Sequence, residues 1–232
     1  MDKLTLEQIK DGQVLLFDKP LNWTSFQVVN KVRWLIKQKF KLKKIKVGHA
    51  GTLDPLATGL VILCTGKATK TIESLMGQTK VYTGEFTLGA TTPSYDMETE
   101  VDETFETSHI DQDLIDMALM SFQGDIMQQP PVFSALKKEG KRLYEYARKG
   151  EEVDIPKRRV KIDHFTITHY NLPQLEFKIQ CSKGTYIRSL AYDFGKALNS
   201  GAYLSGLRRT QIGDYDVDDA LTIDDFEKLL KD

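Results

Sequence analysis

The chain has 232 residues, 41% of them apolar, and balances 32 Lys and Arg against 33 Asp and Glu. That length suits one large domain or two small ones with a real core. No run approaches the roughly 18 consecutive apolar residues of a membrane helix, and MDKLTLEQIKDG lacks the apolar core of a signal peptide. A soluble cytoplasmic protein is therefore expected.

In chain order, Gln13 to Phe17 (QVLLF) reads as a short buried strand ending in the loop DKPLNW. Thr24 and Gln27 form a capping pair, and Val28, Val32, Leu35 and Ile36 recur at helical spacing, so Ser25 to Lys39 is predicted as an amphipathic helix. A short strand at Lys46-Val47 and a second at Gly59 to Cys64 flank a glycine-rich loop. Lys67 to Met76 reads as a helix, and Lys80 to Gly89 alternates as a half-buried strand. Helices are predicted at Asp111 to Phe122 and at Lys141 to Lys149. Two long strands follow, one marked by Val160, Ile162 and Ile167 with an irregularity near Phe165, the other by Leu175, Phe177, Ile179 and Cys181. Ile187 to Leu198 is a helix, Ala202 to Ile212 a strand, and Thr222 to Leu230 a closing helix capped by Thr222 and Asp225. This mixture predicts an α+β (mixed α/β) fold, a largely antiparallel mixed sheet with flanking helices.

Charge is sorted along the chain. Lys31 to Lys46 holds eight basic residues and no acidic one, whereas Val81 to Leu136 holds eleven acidic residues and no Lys or Arg. Such sorting builds a basic face for a phosphate backbone on a near-neutral protein, or else a set of solvated faces. Cys64 and Cys181 sit in strand-like surroundings without metal-binding spacing and read as buried thiols. Gly66-Lys67 follows a strand, but Gly59 stands seven positions before Gly66 and Ala68 replaces the hydroxyl residue, so no phosphate loop is present. His49, His109, His164 and His169 are scattered, with His164 and His169 expected on opposite faces of one strand. No metal or cofactor is called for.

Two segments hold chemistry. In GHAGTLDPLATGLVIL, Gly48, Gly51 and Thr52 allow a sharp turn, and Pro55 stiffens the backbone around Asp54. A rigidly held carboxylate suits a nucleophile or a base; an Asx-turn at a strand entry explains it equally. In SKGTYIR, Arg188 falls in the first turn of a helix, where the macrodipole disfavours a cation unless an anion such as Asp54 or an RNA phosphate lies nearby.

These residues carry a resemblance. DKPLNWTS (18–25), GHAGTLDPLATGLVILCTGKATK (48–70), KVYTGEFTLG (80–89), PPVFSALKKEGKRLYEYARKG (130–150), CSKGTYIRSLAYDFG (181–195) and LRRTQIG (207–213) resemble, in order, the motifs of the bacterial tRNA pseudouridine synthase B (TruB) family. The resemblance implies a pseudouridine synthase catalytic fold over residues 1–232. It implies that one uridine in the T-loop of tRNA, position 55, is isomerised to pseudouridine without cofactor or metal. The N1–C1′ bond breaks, the base turns, and a C5–C1′ bond forms. By the same resemblance Asp54 is the catalytic aspartate. Attack at C1′, attack at C6 and removal of the C2′ proton stay open as its first step.

Tyr82 matches the tyrosine that stacks on the flipped base, and Arg188 the arginine that pairs with the catalytic carboxylate. Tyr186 and Leu207 match substrate-pocket positions, His49 the histidine beside the flipped nucleotides, and Lys19 with Pro20 a supporting loop. Base flipping costs a few kcal/mol, which stacking partly returns. Asn22 stands where the family usually has glycine. The chain ends at Asp232 after one acidic helix, so the family's C-terminal PUA domain is expected to be absent, and the T-arm of tRNA is expected to be gripped by a monomer. A synthase for other uridines and a non-catalytic RNA chaperone are the rival readings.

Overall fold

The computed structural model describes residues 4–138, 140–151 and 153–231. The chain runs α1 (Leu6–Asp11), β1 (Val14–Lys19), α2 (Ser25–Lys39), β2 (Val47–His49), β3 (Ala57–Thr65), a 3-10 turn at Gly66–Thr71, α3 (Ile72–Gly77) and β4 (Lys80–Leu88). It continues through β5 (Ala90–Thr91), β6 (Glu103–Thr104), α4 (Gln112–Ser121), β7 (Gly124–Gln128), β8 (Lys137–Lys138), β9 (Lys141–Arg142) and α5 (Leu143–Ala147). Then come β10 (Arg158–Asn171), β11 (Gln174–Cys181), α6 (Ile187–Ala197), β12 (Ala202–Ile212), β13 (Tyr215–Asp216), a 3-10 turn at Val217–Asp219 and α7 (Ile223–Lys231). This is the expected mixed α/β fold. The pairs β1/β3, β2/β3, β7/β10, β10/β11 and β12/β13 are antiparallel, while β3 and β12 run parallel.

The chain divides into two compact units, Met1–Tyr82 with Leu207–Asp232, and Thr83–Gly206. In the first, β3 lies between β1 and β12 and is wholly apolar along Leu60 to Cys64, as a strand covered on both faces must be. Ala50, Leu60, Ile62, Cys64, Ile212 and Val217 form one core cluster. Helix α7 places Phe226 edge-on to Phe17, with ring centroids 5.2 Å apart. Its predicted cap is present: Asp225 N donates to Thr222 Oγ1 at 3.1 Å. Gly59 sits at φ +104, and a Cβ there would lie 2.3 Å from Arg209 O, so only glycine allows β3 to approach β12 at this point.

In the second unit, β4, β11, β10 and β7 follow one another in the sheet. Phe86, Phe122, Phe165, Phe177 and Phe194 build its aromatic core, with Phe86 and Phe177 centroids 4.3 Å apart. The irregularity expected near Phe165 is two register shifts in β10, at 162/164 and at 167/169. The second inserts one residue between His164 and His169, which restores an even count, so both histidines lie on the exposed side rather than on opposite faces.

Several boundaries differ from expectation. β1 continues through Asp18 and Lys19, which pair with Leu60 and Gly59. The helix read over Lys67 to Met76 is a 3-10 turn followed by α3. The helix read over Lys141 to Lys149 is shorter, since Lys141 and Arg142 pair with β8 instead. Both cysteines are buried free thiols.

Candidate active site

The loop between β2 and β3 carries Asp54, and its carbonyls from Gly51 through Pro55 all accept hydrogen bonds. Arg209 donates from Nη2 to Gly51 O at 3.0 Å and from Nη1 to Thr52 O at 3.4 Å, while its Nε reaches Leu60 O at 2.8 Å. The Ser25 hydroxyl, on the first turn of α2, accepts from Leu53 N at 2.8 Å and donates to Leu53 O at 3.3 Å. Asp54 O accepts from Ala57 N at 3.1 Å, and Pro55 O from Asn22 N at 2.8 Å. Lys19 Nζ donates to Pro20 O at 2.9 Å, Trp23 O at 2.6 Å and Pro55 O at 3.4 Å. The Asp54 side chain itself is half-buried.

Arg209 is 1% exposed and Lys19 fully buried. Buried cations are costly unless their donors are met, and here both spend those donors on backbone carbonyls in and around the loop. Burial pushes the Lys19 ammonium from 10.5 down to about 8; Asp54 and Asp18 pull it back up, and Arg209 pushes it further down. Arg208, the neighbour of Arg209, forms a two-bond pair with Asp18, Nη1 to Oδ1 at 3.0 Å and Nη2 to Oδ2 at 2.7 Å, the fork geometry that suits a guanidinium to a carboxylate. Asn22 adopts the left-handed turn expected of glycine, at φ 64, and its N–H is one of the bonds to Pro55.

Of the other predicted residues of this unit, His49 and Leu207 flank the same loop. His49 ends β2 opposite Leu63, and burial, then the Arg209 charge, hold its imidazole below the ordinary range and therefore neutral near pH 7. Leu207 pairs with Ala57 where the loop re-enters β3, and is half-buried. Tyr82, 9% exposed, lies on β4.

The second unit holds Tyr186 and Arg188. Tyr186 is the N-cap of α6, extended at φ −99 and ψ 112, with no side-chain cap of its own. Gln128, fully buried at the end of β7, holds it by both backbone groups: Tyr186 N donates to Gln128 Oε1 at 2.8 Å, and Gln128 Nε2 donates to Tyr186 O at 3.0 Å. Arg158, the cross-strand neighbour of Gln128, lies 4.7 Å over the Tyr186 ring and donates to Gly184 O. Arg188 is 4% exposed. Its Nε lies 3.5 Å from Asp96 Oδ2, and its Nη1 donates to Ser94 O at 3.3 Å. Asp96, a buried carboxylate that the sequence reading did not name, thus stands beside the Arg188 guanidinium.

Sequence reasoning missed Arg209, Gln128 and Asp96. Arg209 carries no local mark, since it sits beside the equally charged and partly exposed Arg208 in a strand of mixed burial. Asp96 was hidden among the acidic residues that follow it. Among the described residues, no cluster of three or more His, Cys, Asp or Glu side chains is arranged to hold a metal ion, and no helix is long and apolar enough to cross a membrane.

Comparison with known proteins follows the same residues. The profile of the TruB family pseudouridylate synthase N-terminal domain matches residues 37–187, and that of the tRNA pseudouridylate synthase B C-terminal domain matches residues 188–232. The chain is 59% identical to a tRNA pseudouridine synthase B of Flavobacterium johnsoniae over 229 residues, 98% of this chain and 100% of that protein. It is 56% identical to a protein of the same name from Phocaeicola vulgatus, over 95% of this chain and 94% of that one. Among solved structures it is similar to a chain of a Cbf5-Nop10-Gar1 complex, at 29% identity and a TM-score of 0.70, covering 95% of this chain. It is also similar to a chain of an H/ACA RNP bound to a substrate RNA containing 2′-deoxyuridine, at 27% identity and a TM-score of 0.67. It spans about half the length of those two chains, 54% and 53%. With both profiles meeting end to end across residues 37–232 and relatives matched along nearly their whole length, the chain belongs to the TruB family of pseudouridylate synthases.

Proposed function

We propose that this chain isomerises a uridine of tRNA to pseudouridine, and that the uridine is the one at position 55 in the T-loop. The observation that carries the reading is the Asp54 loop, whose carbonyls from Gly51 to Pro55 are all engaged. A turn that only entered a strand would not need two buried cations to fix it. A carboxylate that must meet a sugar carbon or a base carbon in near-attack geometry would.

In this reading Asp54 is the nucleophile or base. Tyr82 stacks on the extruded base, and Arg188 supplies the cation of the catalytic set. His49, Tyr186 and Leu207 contact the substrate, and Lys19 supports the Asp54 loop. The reaction is an isomerisation: the N1–C1′ bond breaks, the uracil rotates, C5 bonds to C1′, and the C5 proton departs while N1 gains one. Nothing is oxidised or reduced. Names of relatives at 59% and 56% identity support tRNA as the substrate class. We infer work in the cytoplasm, as a monomer formed by one catalytic domain.

Pseudouridine mapping at nucleotide resolution on an unmodified tRNA transcript tests this, with wild type and Asp54→Asn in parallel. A single T-loop pseudouridine is expected with wild type. Asp54→Asn should bind tRNA yet lose turnover by roughly a thousandfold or more. Retained turnover in Asp54→Asn overturns the assignment of Asp54; a product elsewhere in the RNA overturns the assigned position.

A further inference from the structure

Helix α2 buries Val28, Val29, Val32, Leu35 and Ile36. Its opposite face is unusual for a solvated helix. Phe26 is 59% exposed and Trp34 is 52% exposed. With the exposed Asn30 they form one stripe at spacing i, i+4, i+8. At the helical rise per residue, Phe26 and Trp34 stand roughly 12 Å apart along the axis. Lys31 Nζ lies 4.9 Å over the Trp34 ring. The stripe then meets the loop that holds the exposed Lys41, Lys43, Lys44 and Lys46. From Asp18 to Asp54 the chain has nine Lys or Arg and no acidic residue between them. At its other end the stripe begins beside Ser25, whose hydroxyl holds Leu53, the neighbour of Asp54. Helix α2 therefore runs from the candidate catalytic loop to the lysine cluster, its full length separating the two.

We propose that this face of α2 is an RNA-docking track, in which Phe26 and Trp34 stack on exposed bases and Lys41, Lys43, Lys44 and Lys46 take the phosphates that follow. The inference rests on the reading of Asp54 as the reacting group of an RNA-modifying enzyme. Exposed rings interleaved with cations match a nucleic acid, since every base offers a flat face and every linkage a negative charge. An acidic peptide would satisfy the lysines but offer the rings nothing planar to stack on. The track gives the enzyme a second hold on the RNA strand that carries the target.

Trp23 and Trp34 are the only tryptophans, so Trp23→Phe leaves Trp34 as the sole indole reporter. This variant is titrated with an unmodified tRNA transcript and, separately, with polyglutamate, while filter retention reports RNA binding independently. Trp34 emission is expected to be quenched in step with tRNA binding and to ignore polyglutamate. In the wild-type background, Trp34→Ala and Phe26→Ala should each raise KM by about fivefold or more with kcat little changed. Changing the four lysines to Gln should flatten the salt dependence of binding. Unchanged Trp34 emission while tRNA binds overturns the track. Quenching by polyglutamate and not by RNA overturns it in favour of an acidic protein partner. Quenching by tRNA from an enzyme that forms no pseudouridine upholds the track and removes the isomerase reading instead.

Discussion

The Asp54 loop and the Tyr186–Arg188 helix start solve one problem by different means. Each holds a proposed site residue at the edge of regular structure, where the backbone hydrogen-bond ladder is incomplete. At the Asp54 loop the backbone is gripped by charge: Arg209 and Lys19, both buried, aim guanidinium and ammonium donors at carbonyls. At the helix start Tyr186 is gripped by a neutral amide, Gln128, which takes both of its backbone groups, while the guanidinium of Arg158 holds Gly184 O two residues earlier and Asp96 stands beside Arg188. The difference follows from what each segment presents. A run of carbonyls offers acceptors only, which cations satisfy best. One extended residue offers a donor and an acceptor side by side, which a carboxamide matches atom for atom.

Breaking the charged grip should cost most. Arg209→Met removes one side chain that donates to the carbonyls of Gly51, Thr52 and Leu60, leaving buried acceptors without this donor. The expected loss is about 3–5 kcal/mol, read as a urea midpoint lowered by roughly 1–2 M. Arg209→Lys keeps the charge without the fork, so it should recover much of the stability and little of the turnover. Equal recovery of both would mean that the loop needs only a positive charge. Next comes Asp96→Ala, which withdraws a buried counter-charge from Arg188 at a cost of about 3 kcal/mol. Asp96→Asn keeps an acceptor for Glu98 N, which donates to Asp96 Oδ1 at 2.9 Å, and should cost less stability while still lowering kcat.

Gln128→Met sharpens the contrast from the neutral side. Both bonds to Tyr186 are lost, at about 2 kcal/mol, and KM should rise more than kcat falls if Tyr186 contacts the substrate as proposed. Gln128→Glu keeps the acceptor but sets a carboxylate against Tyr186 O, and should be no better than Met. If Glu restores function, the helix start is held by charge after all and the contrast with the Asp54 loop disappears.

The sequence revealed one half of each of these arrangements. Asp54 stood out because Gly51, Thr52 and Pro55 mark a stiff turn by local rules alone. Arg188 stood out because a cation at a helix start is a local conflict. Helices α2 and α7 were legible from their caps, and β11 from clean alternation. The gripping residues were not, because their partners are distant: Arg209 reaches Gly51 across 158 positions, and Gln128 reaches Tyr186 across 58. No window-based pattern contains both ends of such a contact. β7 escaped for a related reason. Its sequence, GDIMQ, is only partly buried, and its pairing with β10 defines the strand more than its composition does. Helix α1 was a local miss: Thr5 and Gln8 form a capping box of the kind recognised at Thr24 and Gln27.

The smallest expected effect is also the one that separates the two grips by pH. The ammonium of Lys19 is shifted from 10.5 to about 8, first by burial. The unfolded chain therefore binds more protons between about pH 8 and 10.5, so this group's contribution to stability rises with pH across that window and is flat below it. Activity should move the other way. The ammonium has three N–H donors for the carbonyls of Pro20, Trp23 and Pro55, whereas the neutral amine has two. Above about pH 8 one of those bonds is lost and the Asp54 loop loosens, so kcat should fall by severalfold. Lys19→Met should lower kcat and flatten the profile, and Gln128→Met should leave the alkaline limb in place, since its amide does not titrate. An alkaline limb that persists in Lys19→Met assigns the titration to another group and removes pH as a distinction between the charged grip and the neutral one.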